Sequence, residues 1–423
     1  MKYKFKKNEG VQNCKTIKLY ILFSFLLFLL NIKNKKLYEK NNKELHNSIN
    51  DIIEPNNSCL SDFNSTLMNI EHNKTLIKKN GKKFIDKCLN RENTTKIFNF
   101  DSKPIISTII PVYNAEKHIF NSICSIQNQD FINFEIVLVD DSSIDNSFKI
   151  IKGLQKFDKR IKILKNKKNM GSLYSRSIGI LMSNGDFIFG LDNDDMFFSN
   201  DIYKFFLKFA QNYDFDIIGF RAFQTSNYKN NFEKITDLYD YKQYPKSIII
   251  YQPQLSTWLI SRNGKFFIHD MTVWAKCIKS KIYKEATIKL GEKRYSNFVS
   301  WGEDTIINFI IFNIAQSFIF IHKYGIIHLN NISTASYRMP KEIKLFGEIF
   351  FVDILYDFSK NNSDKNYAVF GAYNAKKNFK INQFDNSKNL IYFKFILIKI
   401  LNSQYISIDN KIKIQKDFKS FFN

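Results

Sequence analysis

The chain has 423 residues, 44% of them hydrophobic, which suits one large α/β domain with appendages as well as about two or three average domains. Its 63 Lys and Arg residues against 40 Asp and Glu give a formal net charge of +23. The sequence contains no helix-turn-helix, zinc-finger or RNP pattern, so we expect no nucleic-acid partner and attribute the charge to general Lys enrichment. The five cysteines have no CxxC spacing, which argues against a zinc site and leaves open whether Cys59 and Cys88 form a disulfide.

Residues 19–30 (LYILFSFLLFLL) form an apolar run with lysines on both sides. Extended to residues 17–32, the run approaches a membrane span, which needs about 17–25 apolar residues. A cleaved signal peptide is the alternative, but no small-residue pair follows that a peptidase would recognise. We therefore predict a signal-anchor in residues 1–33 and a single-pass type II membrane protein facing the Golgi or ER lumen, with secretion as the alternative.

Residues 34–102 are polar, rich in Asn and Lys, and lack a sustained hydrophobic period. Such a segment cannot bury much apolar surface, so the sequence predicts a flexible stem. The stem contains N-x-S/T glycosylation triplets at Asn56, Asn64, Asn73 and Asn93, which an Asn-rich chain also produces by chance.

From residue 103, short apolar runs alternate with amphipathic segments. The alternation predicts crossover units and an α/β fold with a mainly parallel sheet flanked by helices. The predicted strands are residues 105–111, 134–140, 161–164, 186–191 and 216–220. The predicted helices are residues 116–128, 145–158, 172–182 and 201–211.

Polar segments follow three of these strands: PVYN (111–114), DD (140–141) and DNDD (192–195). Ligands of parallel sheets bind beyond the carboxyl ends of the strands, so the three segments should line one edge. No GxGxxG or GxxxxGK[ST] loop follows any strand, so a glycine loop is not expected to hold phosphate. A Mn²⁺ or Mg²⁺ ion bound by carboxylates is the natural substitute, because both prefer oxygen ligands.

Six pieces in order resemble the family 2 glycosyltransferases, whose fold is the Rossmann-like GT-A fold. They are ISTIIPVYN (106–114), SIQNQDFINFEIVLVDDSSIDNS (125–147), NMGSLYSRSIGI (169–180), GDFIFGLDNDDMF (185–197), WAK (274–276) and WGED (301–304). The resemblance implies an inverting enzyme that moves a single sugar from a nucleotide-diphosphate sugar to a hydroxyl of a glycan, glycoprotein or glycolipid. It also implies a nucleotide-sugar-binding half (103–225), an acceptor-binding half (226–338) and, beyond them, a mostly helical extension (339–423).

The resemblance also implies roles for single residues. Tyr113 would stack on the donor base and Asp141 would accept from its N–H, while Asp304, or its neighbour Glu303, would be the general base. The further donor-binding candidates are Pro111, Asn114, Asp140, Gly171, Arg176 and Asp192. The metal-binding candidates are Asp192, Asp194, Asp195 and His328, and the acceptor-binding candidates are Trp274 and Trp301.

Each assignment has a structural alternative. Asp140 and Asp141 could only cap the following helix, DNDD could be a solvated turn, and Glu303–Asp304 could be an ordinary acidic helix start. Arg176 could form a surface ion pair, and the histidine and tryptophan candidates could simply be packed. The sequence departs from the family in having Ser177 where Asn is common and in lacking QxxRW and a run of membrane spans, which argues against a processive synthase. A noncatalytic sugar-nucleotide or glycan-binding protein is the alternative function.

Overall fold

The computed structural model describes residues 74–90, 103–228, 236–237, 248–252, 255, 272–330, 339–358, 388–403, 406 and 408–418. The predicted signal-anchor and the four asparagines of the predicted glycosylation triplets lie outside these residues.

The described residues form helices on both faces of one mixed sheet. The strands are β1 (Ile106–Val112), β2 (Phe134–Asp140), β3 (Ile161–Lys165), β4 (Phe187–Gly190), β5 (Met196–Phe197), β6 (Ile217–Thr225), β7 (Thr236–Asp237), β8 (Ile248–Tyr251), β9 (Lys276–Lys279) and β10 (Ser317–Leu329). The helices are α1 (Lys74–Leu89), α2 (Ile119–Gln127), α3 (Ser147–Phe157), α4 (Ser172–Met182), α5 (Ile202–Asn212), α6 (Ser280–Leu290), α7 (Glu292–Tyr295), α8 (Glu303–Ile314), α9 (Lys341–Phe358), α10 (Lys388–Leu401) and α11 (Ile408–Asp417).

The sheet has the strand order β3-β2-β1-β4-β9-β6-β10-β5, with β7 paired to β6 and β8 paired to β10. The strands β1 to β4 are parallel, and so are β6 and β10, as the sequence predicts. Strand β9 lies between the two parallel groups and is antiparallel to both of its neighbours. The predicted α/β fold is thus confirmed, and the antiparallel strand β9 joins its two parallel parts.

The first two strands are buried along their whole length, which explains their continuous apolar runs. Helix α4 covers them at close range because Gly179 faces the sheet: a Cβ at this position would lie 2.6 Å from Ile109 Cγ2. A larger residue would push the helix away from the strands that carry the predicted site.

Helix α1 departs from the prediction of a flexible stem over residues 74–89. Its Ile85 and Cys88 are fully buried, in a cluster with Phe198 and Leu329 of the sheet region. The backbone of Gly81 lies directly against the Phe198 ring, where a Cβ would overlap the ring atoms. The sequence did not predict this helix, because the segment is mostly polar and several partners of its apolar face, such as Phe198, lie more than a hundred residues later in the chain.

The predicted helical C-terminal extension is confirmed by α9, α10 and α11. Leu345 and Ile349 of α9 and Leu397 of α10 are buried in the same apolar cluster as Phe309 of α8. A search of the described residues finds no helix with the length and apolar character needed to cross a membrane.

Candidate functional site

The three polar segments predicted at strand ends do meet at one edge of the sheet. The side-chain amide of Asn193 donates to the Pro111 carbonyl at 3.0 Å, and the Asp141 N–H donates to the Val112 carbonyl at 2.8 Å. These bonds join the ends of β4, β1 and β2, so the carboxyl-end rule holds for this sheet.

Tyr113 lies at this edge with 44% of its surface exposed. The next residue, Asn114, has a left-handed φ of +48° and links the loop after β1 to the loop after β2. Its N–H donates to Ser143 Oγ at 3.1 Å, and its Oδ1 accepts from the Ile144 N–H at 3.0 Å. Asn114 thus fixes the loop that presents the open Tyr113 ring, which remains available for stacking.

The carboxylate of Asp141 is buried and organises the turn into α4. Its Oδ1 accepts from Asn166 Nδ2 at 2.7 Å and from the Met170 N–H at 2.8 Å, and its Oδ2 accepts from the Gly171 N–H at 2.8 Å. Asp140 is also buried, with Lys165 Nζ 3.7 Å from its Oδ2. Helix α3 begins after Asn146, so capping does not explain this acid pair.

Asp195 is fully buried behind the exposed edge and is bound to His328. Both of its carboxylate oxygens lie about 3 Å from His328 Nδ1, at 2.9 and 3.0 Å, and Oδ1 also accepts from the Leu329 N–H at 2.9 Å. The contact follows from strand register: Met196 of β5 pairs antiparallel with Ile327 of β10, so the residues on either side of that pair meet. Burial opposes the charge on His328, but Asp195 and Asp194 outweigh it and raise the pKa of the imidazole to about 9.

Asp194 directly precedes Asp195 in the acidic loop, and its carboxylate interacts with the charges of Asp195 and His328. Burial and the neighbouring carboxylates of Asp195 and Asp192 raise its pKa to about 8, against a smaller opposing effect of His328. Its backbone carbonyl is held by the Tyr228 hydroxyl at 2.6 Å, while its carboxylate has no side-chain hydrogen bond in the described part of the chain. An acid in this state gains stability from a cation beside it.

Arg176 contradicts the alternative of a surface ion pair, while its predicted contact with the donor stays a prediction. It is 2% exposed, so it is not a surface residue. Its Nη2 lies 2.8 Å from Asp192 Oδ1 and 3.8 Å from Asp304 Oδ1. The nearby Gly190 packs closely on the backbone of Val273, since a Cβ there would lie 3.0 Å from the Val273 carbonyl oxygen. Arg176 thus joins the end of β4 to the start of α8.

Asp304 and Glu303 form the first turn of α8, after Gly302 in the left-handed conformation (φ +73°). Asp304 Oδ2 accepts from the Val273 N–H at 3.1 Å. Burial, Glu303 and Asp192 raise the pKa of Asp304 to about 8, although Arg176 opposes the shift. Burial also raises the pKa of Glu303, so this helix start carries two acids that hold protons more tightly than usual.

The two tryptophan candidates face different surroundings. Trp274 is buried and stacks on His328, with ring centroids 5.2 Å apart and planes inclined by 10°. Trp301 lies against α9, with Lys344 Nζ 4.6 Å from its ring centroid. One tryptophan therefore supports the histidine of the acidic loop, and the other supports the C-terminal helices; their acceptor roles stay predictions.

The acidic loop after β4 offers side chains that could bind a metal ion. The described residues contain no preformed group of three or more His, Cys, Asp or Glu side chains around a common point. Asp194 and His328 nevertheless fit a cation: the first is a partly uncompensated acid, and the second is bound through Nδ1, which leaves Nε2 as its ligand atom.

Several site residues carried no sequence signal of their own. Asn193 lies between the acids of DNDD, and its side-chain amide holds the acidic loop on the Pro111 carbonyl. Tyr228, which holds the Asp194 carbonyl, lies in a loop region without a motif. Asn166 contacts Asp141 from the end of β3. A polar residue at a strand end is the only sequence feature that could have indicated its role.

Comparisons with known proteins agree with this geometry. Residues 107–268 match the family described as Glycosyl transferase family 2. An uncharacterized glycosyltransferase of Haemophilus influenzae is 44% identical over 98 residues, covering 23% of this chain and 39% of the relative. The Escherichia coli UDP-Glc:alpha-D-GlcNAc-diphosphoundecaprenol beta-1,3-glucosyltransferase WfgD is 38% identical over 99 residues, covering 23% of this chain and 38% of the relative. The chain thus spans about two fifths of these relatives.

The fold also resembles a solved structure, S. aureus TarS 1–349 in complex with UDP-GlcNAc. The two share 14% identity with a TM-score of 0.53, and the match covers 74% of this chain and 91% of the TarS chain. This likeness concerns the GT-A fold alone.

The predicted localisation is corrected by these findings. No described helix is suited to cross a membrane, and the reported relatives are bacterial. The prediction of a type II protein facing the Golgi or ER lumen is therefore wrong. Residues 107–268 thus match the Glycosyl transferase family 2 model, the reported relatives are glycosyltransferases, and the fold resembles the GT-A fold of TarS.

Proposed function

We propose that the protein is an inverting, metal-dependent glycosyltransferase that moves one sugar from a nucleotide-diphosphate sugar to a hydroxyl of a carbohydrate or lipid-linked acceptor. The observation that carries the proposal is the shared contact of Arg176 with Asp192 and Asp304. The buried guanidinium of Arg176 thereby holds Asp192, at the predicted donor-binding edge, beside Asp304, a buried acid with the properties of a general base. The names of WfgD and of the TarS complex support a uridine-diphosphate donor, and WfgD supports an acceptor linked to diphosphoundecaprenol.

The donor would lie along the carboxyl edge of β1, β2 and β4. The open ring of Tyr113 is suited to stack on the base, and Asn114 holds the loop that presents it. Asp141 already accepts three hydrogen bonds from the turn before α4, so its main contribution is to fix that turn. Any contact of Asp141 with the base uses a remaining lone pair of the carboxylate.

Asp194 and His328 Nε2 would hold the Mn²⁺ or Mg²⁺ ion. Asp195 would act through His328, because its carboxylate binds Nδ1 and thereby sets the tautomer and direction of the ring. Asp192 is neutralised by Arg176 and would be a weaker ligand. When bound, the ion supplies positive charge that stabilises the departing diphosphate.

Asp304 would act as the general base. The acceptor oxygen forms a bond to the anomeric carbon while the bond from that carbon to the diphosphate oxygen breaks, and the hydroxyl proton passes to Asp304. The raised pKa of Asp304, about 8, suits proton abstraction near neutral pH. Arg176 limits the rise in pKa and keeps the carboxylate in place through its charge.

The test is a donor screen followed by a variant of the base. The purified full chain is incubated with Mn²⁺ and a panel of nucleotide sugars, and bound and released nucleotide are measured. We expect Asp304→Asn to reduce transfer by at least about a hundredfold with little change in donor Kd, and Asp409→Asn, in the exposed part of α11, to change neither quantity. Loss of donor binding in Asp304→Asn would remove Asp304 from the base role. Donor binding without transfer by the wild-type protein would instead favour the noncatalytic binding module.

A further inference from the structure

Two cysteines from separate parts of the chain meet between α1 and α2. Cys88 lies in the last turn of α1, and Cys124 lies in the middle of α2. Both are buried free thiols. The side-chain amide nitrogen of Asn128 lies 3.9 Å from Cys88 Sγ and 3.2 Å from Cys124 Sγ. One amide thus contacts both sulfur atoms.

The two thiols differ chemically. The nearby Cys88 thiol lowers the pKa of Cys124; burial opposes this effect, while Asn128 and the charge of Lys87 support it. The pKa of Cys88 is raised, mainly by its contact with Cys124 and by burial. Cys124 is therefore the more easily ionised thiol of the two, which suits it to attack first.

The thiol pair lies where α1 covers the back of the acidic loop. Ile85 and Cys88 of α1 share an apolar cluster with Met196, which follows Asp195, and with Leu329, which follows His328. This packing holds the C-terminal turn of α1 against the sheet, and Lys78 adds a contact further along the helix, with its Nζ 5.7 Å from the centroid of the Phe223 ring. A covalent bond at Cys88 would fix the end of the helix.

We propose that Cys88 and Cys124 form a redox modification site, at which a reversible disulfide fastens α1 to the glycosyltransferase domain. The oxidant is a disulfide, either a small-molecule disulfide or that of a thiol–disulfide oxidoreductase. Brief opening of the last turn of α1 admits the oxidant, since both thiols are otherwise buried.

The exchange has two steps. Cys124 Sγ attacks one sulfur of the oxidant, the oxidant's S–S bond breaks, and one thiol leaves with a proton. Cys88 then loses its proton and attacks Cys124 Sγ, which releases the second thiol. Two electrons pass from the cysteine pair to the oxidant, which is reduced to two thiols.

The primary experiment uses the full wild-type chain, first reduced and then incubated with oxidised glutathione. Peptide mapping by mass spectrometry without reduction should reveal a Cys88–Cys124 linked pair, two hydrogens lighter than the free peptides. Cys277→Ser is the matched control, because Cys277 is a buried free thiol of β9 whose raised pKa comes from burial alone. This control should retain the linked pair, whereas Cys88→Ser and Cys124→Ser should lose it.

A second measurement reports on α1 itself. Closing the loop between residues 88 and 124 should raise the Tm of the oxidised protein by roughly 5 °C. It should also slow amide exchange or tryptic cleavage within α1 by about tenfold or more, because the helix end no longer opens. Linkage of Cys88 to Cys59, glutathione on Cys124 without a second bond, or equal cleavage rates in both states would each overturn the proposal.

Discussion

Replacement of Arg176 by Met tests the central feature of the site. Met has a similar length and fills much of the same space, so the main change is the loss of one positive charge. Removing one partner of a buried ion pair costs about 3–5 kcal/mol of folding free energy. The side chains of Asp192 and Asp304 are 32% and 22% exposed, and solvent screening reduces this cost.

A second effect acts in the opposite direction. Nε and Nη1 of Arg176 are buried without a hydrogen-bond partner among the described residues, so their removal relieves a desolvation cost. We therefore expect Arg176→Met to lower the free energy of unfolding by about 2–3 kcal/mol. Urea denaturation followed by fluorescence measures this change, provided that the m value stays constant.

The matched control is Arg294→Met, which removes a half-exposed guanidinium 2.5 Å from Asp357. A pair of this kind contributes at most about 1 kcal/mol. The variant with Arg176→Met, Asp192→Asn and Asp304→Asn together should regain much of the lost stability, because it leaves no unpaired acid. Equal destabilisation by the two Arg→Met changes, or no recovery in the combined variant, would refute the view that Arg176 neutralises both acids.

Three further predictions concern the acids and the turn before α4. Asp194→Asn should abolish the rise in Tm that Mn²⁺ causes, measured by thermal unfolding with and without the ion; an unchanged rise would remove Asp194 from the metal site. The folded-state pKa of Asp194 and Asp304, about 8, lies above the usual 3.8, and that of His328, about 9, lies above 6.5. The folded protein thus binds more protons than the unfolded chain, so the urea midpoint should fall from pH 6.5 to pH 9, and a rising midpoint would contradict these shifts. Gly171→Ala should cost at least about 1–2 kcal/mol in urea, because φ is +89° and a Cβ would lie 2.9 Å from Ser300 Oγ, whereas Gly153→Ala, within α3 and with open space around its Cβ, should stabilise by about 0.5–1 kcal/mol.

The sheet and its edge were predictable because local patterns determine them. The run FEIVLVD predicts a strand at residues 134–140, and the structure places β2 at the same residues. A strand buried on both faces needs a continuous apolar run, and the turn from strand to helix needs polar residues, so both signals lie close together in the sequence. The meeting of Pro111, Asp141 and Asn193 at one edge then follows from parallel strand direction.

Other features depend on contacts between distant residues, and no local pattern reports them. Helix α1 reads as a polar segment, and its partner Phe198 lies far along the chain. Strand β9 has four residues, KCIK, without an apolar run that would predict a strand. Its position in the sheet is determined by its pairing with β4 and β6. The contact between Asp195 and His328 results from the pairing of β5 with β10. Strand β5 consists of the two residues MF, which is too short a pattern to predict this pairing.

Arg176 illustrates the same limit at the site. Its sequence context, SLYSRSIGI, predicts a helix and its bounds, but not which acids the arginine meets. Those acids come from the end of β4 and the start of α8, more than a hundred residues apart. Because a single guanidinium interacts with both carboxylates, a change in the charge of either acid alters the electrostatic stabilisation of the other. The donor edge and the predicted base are thus electrostatically coupled even before any substrate binds, and this coupling is what the combined variant of Arg176, Asp192 and Asp304 measures.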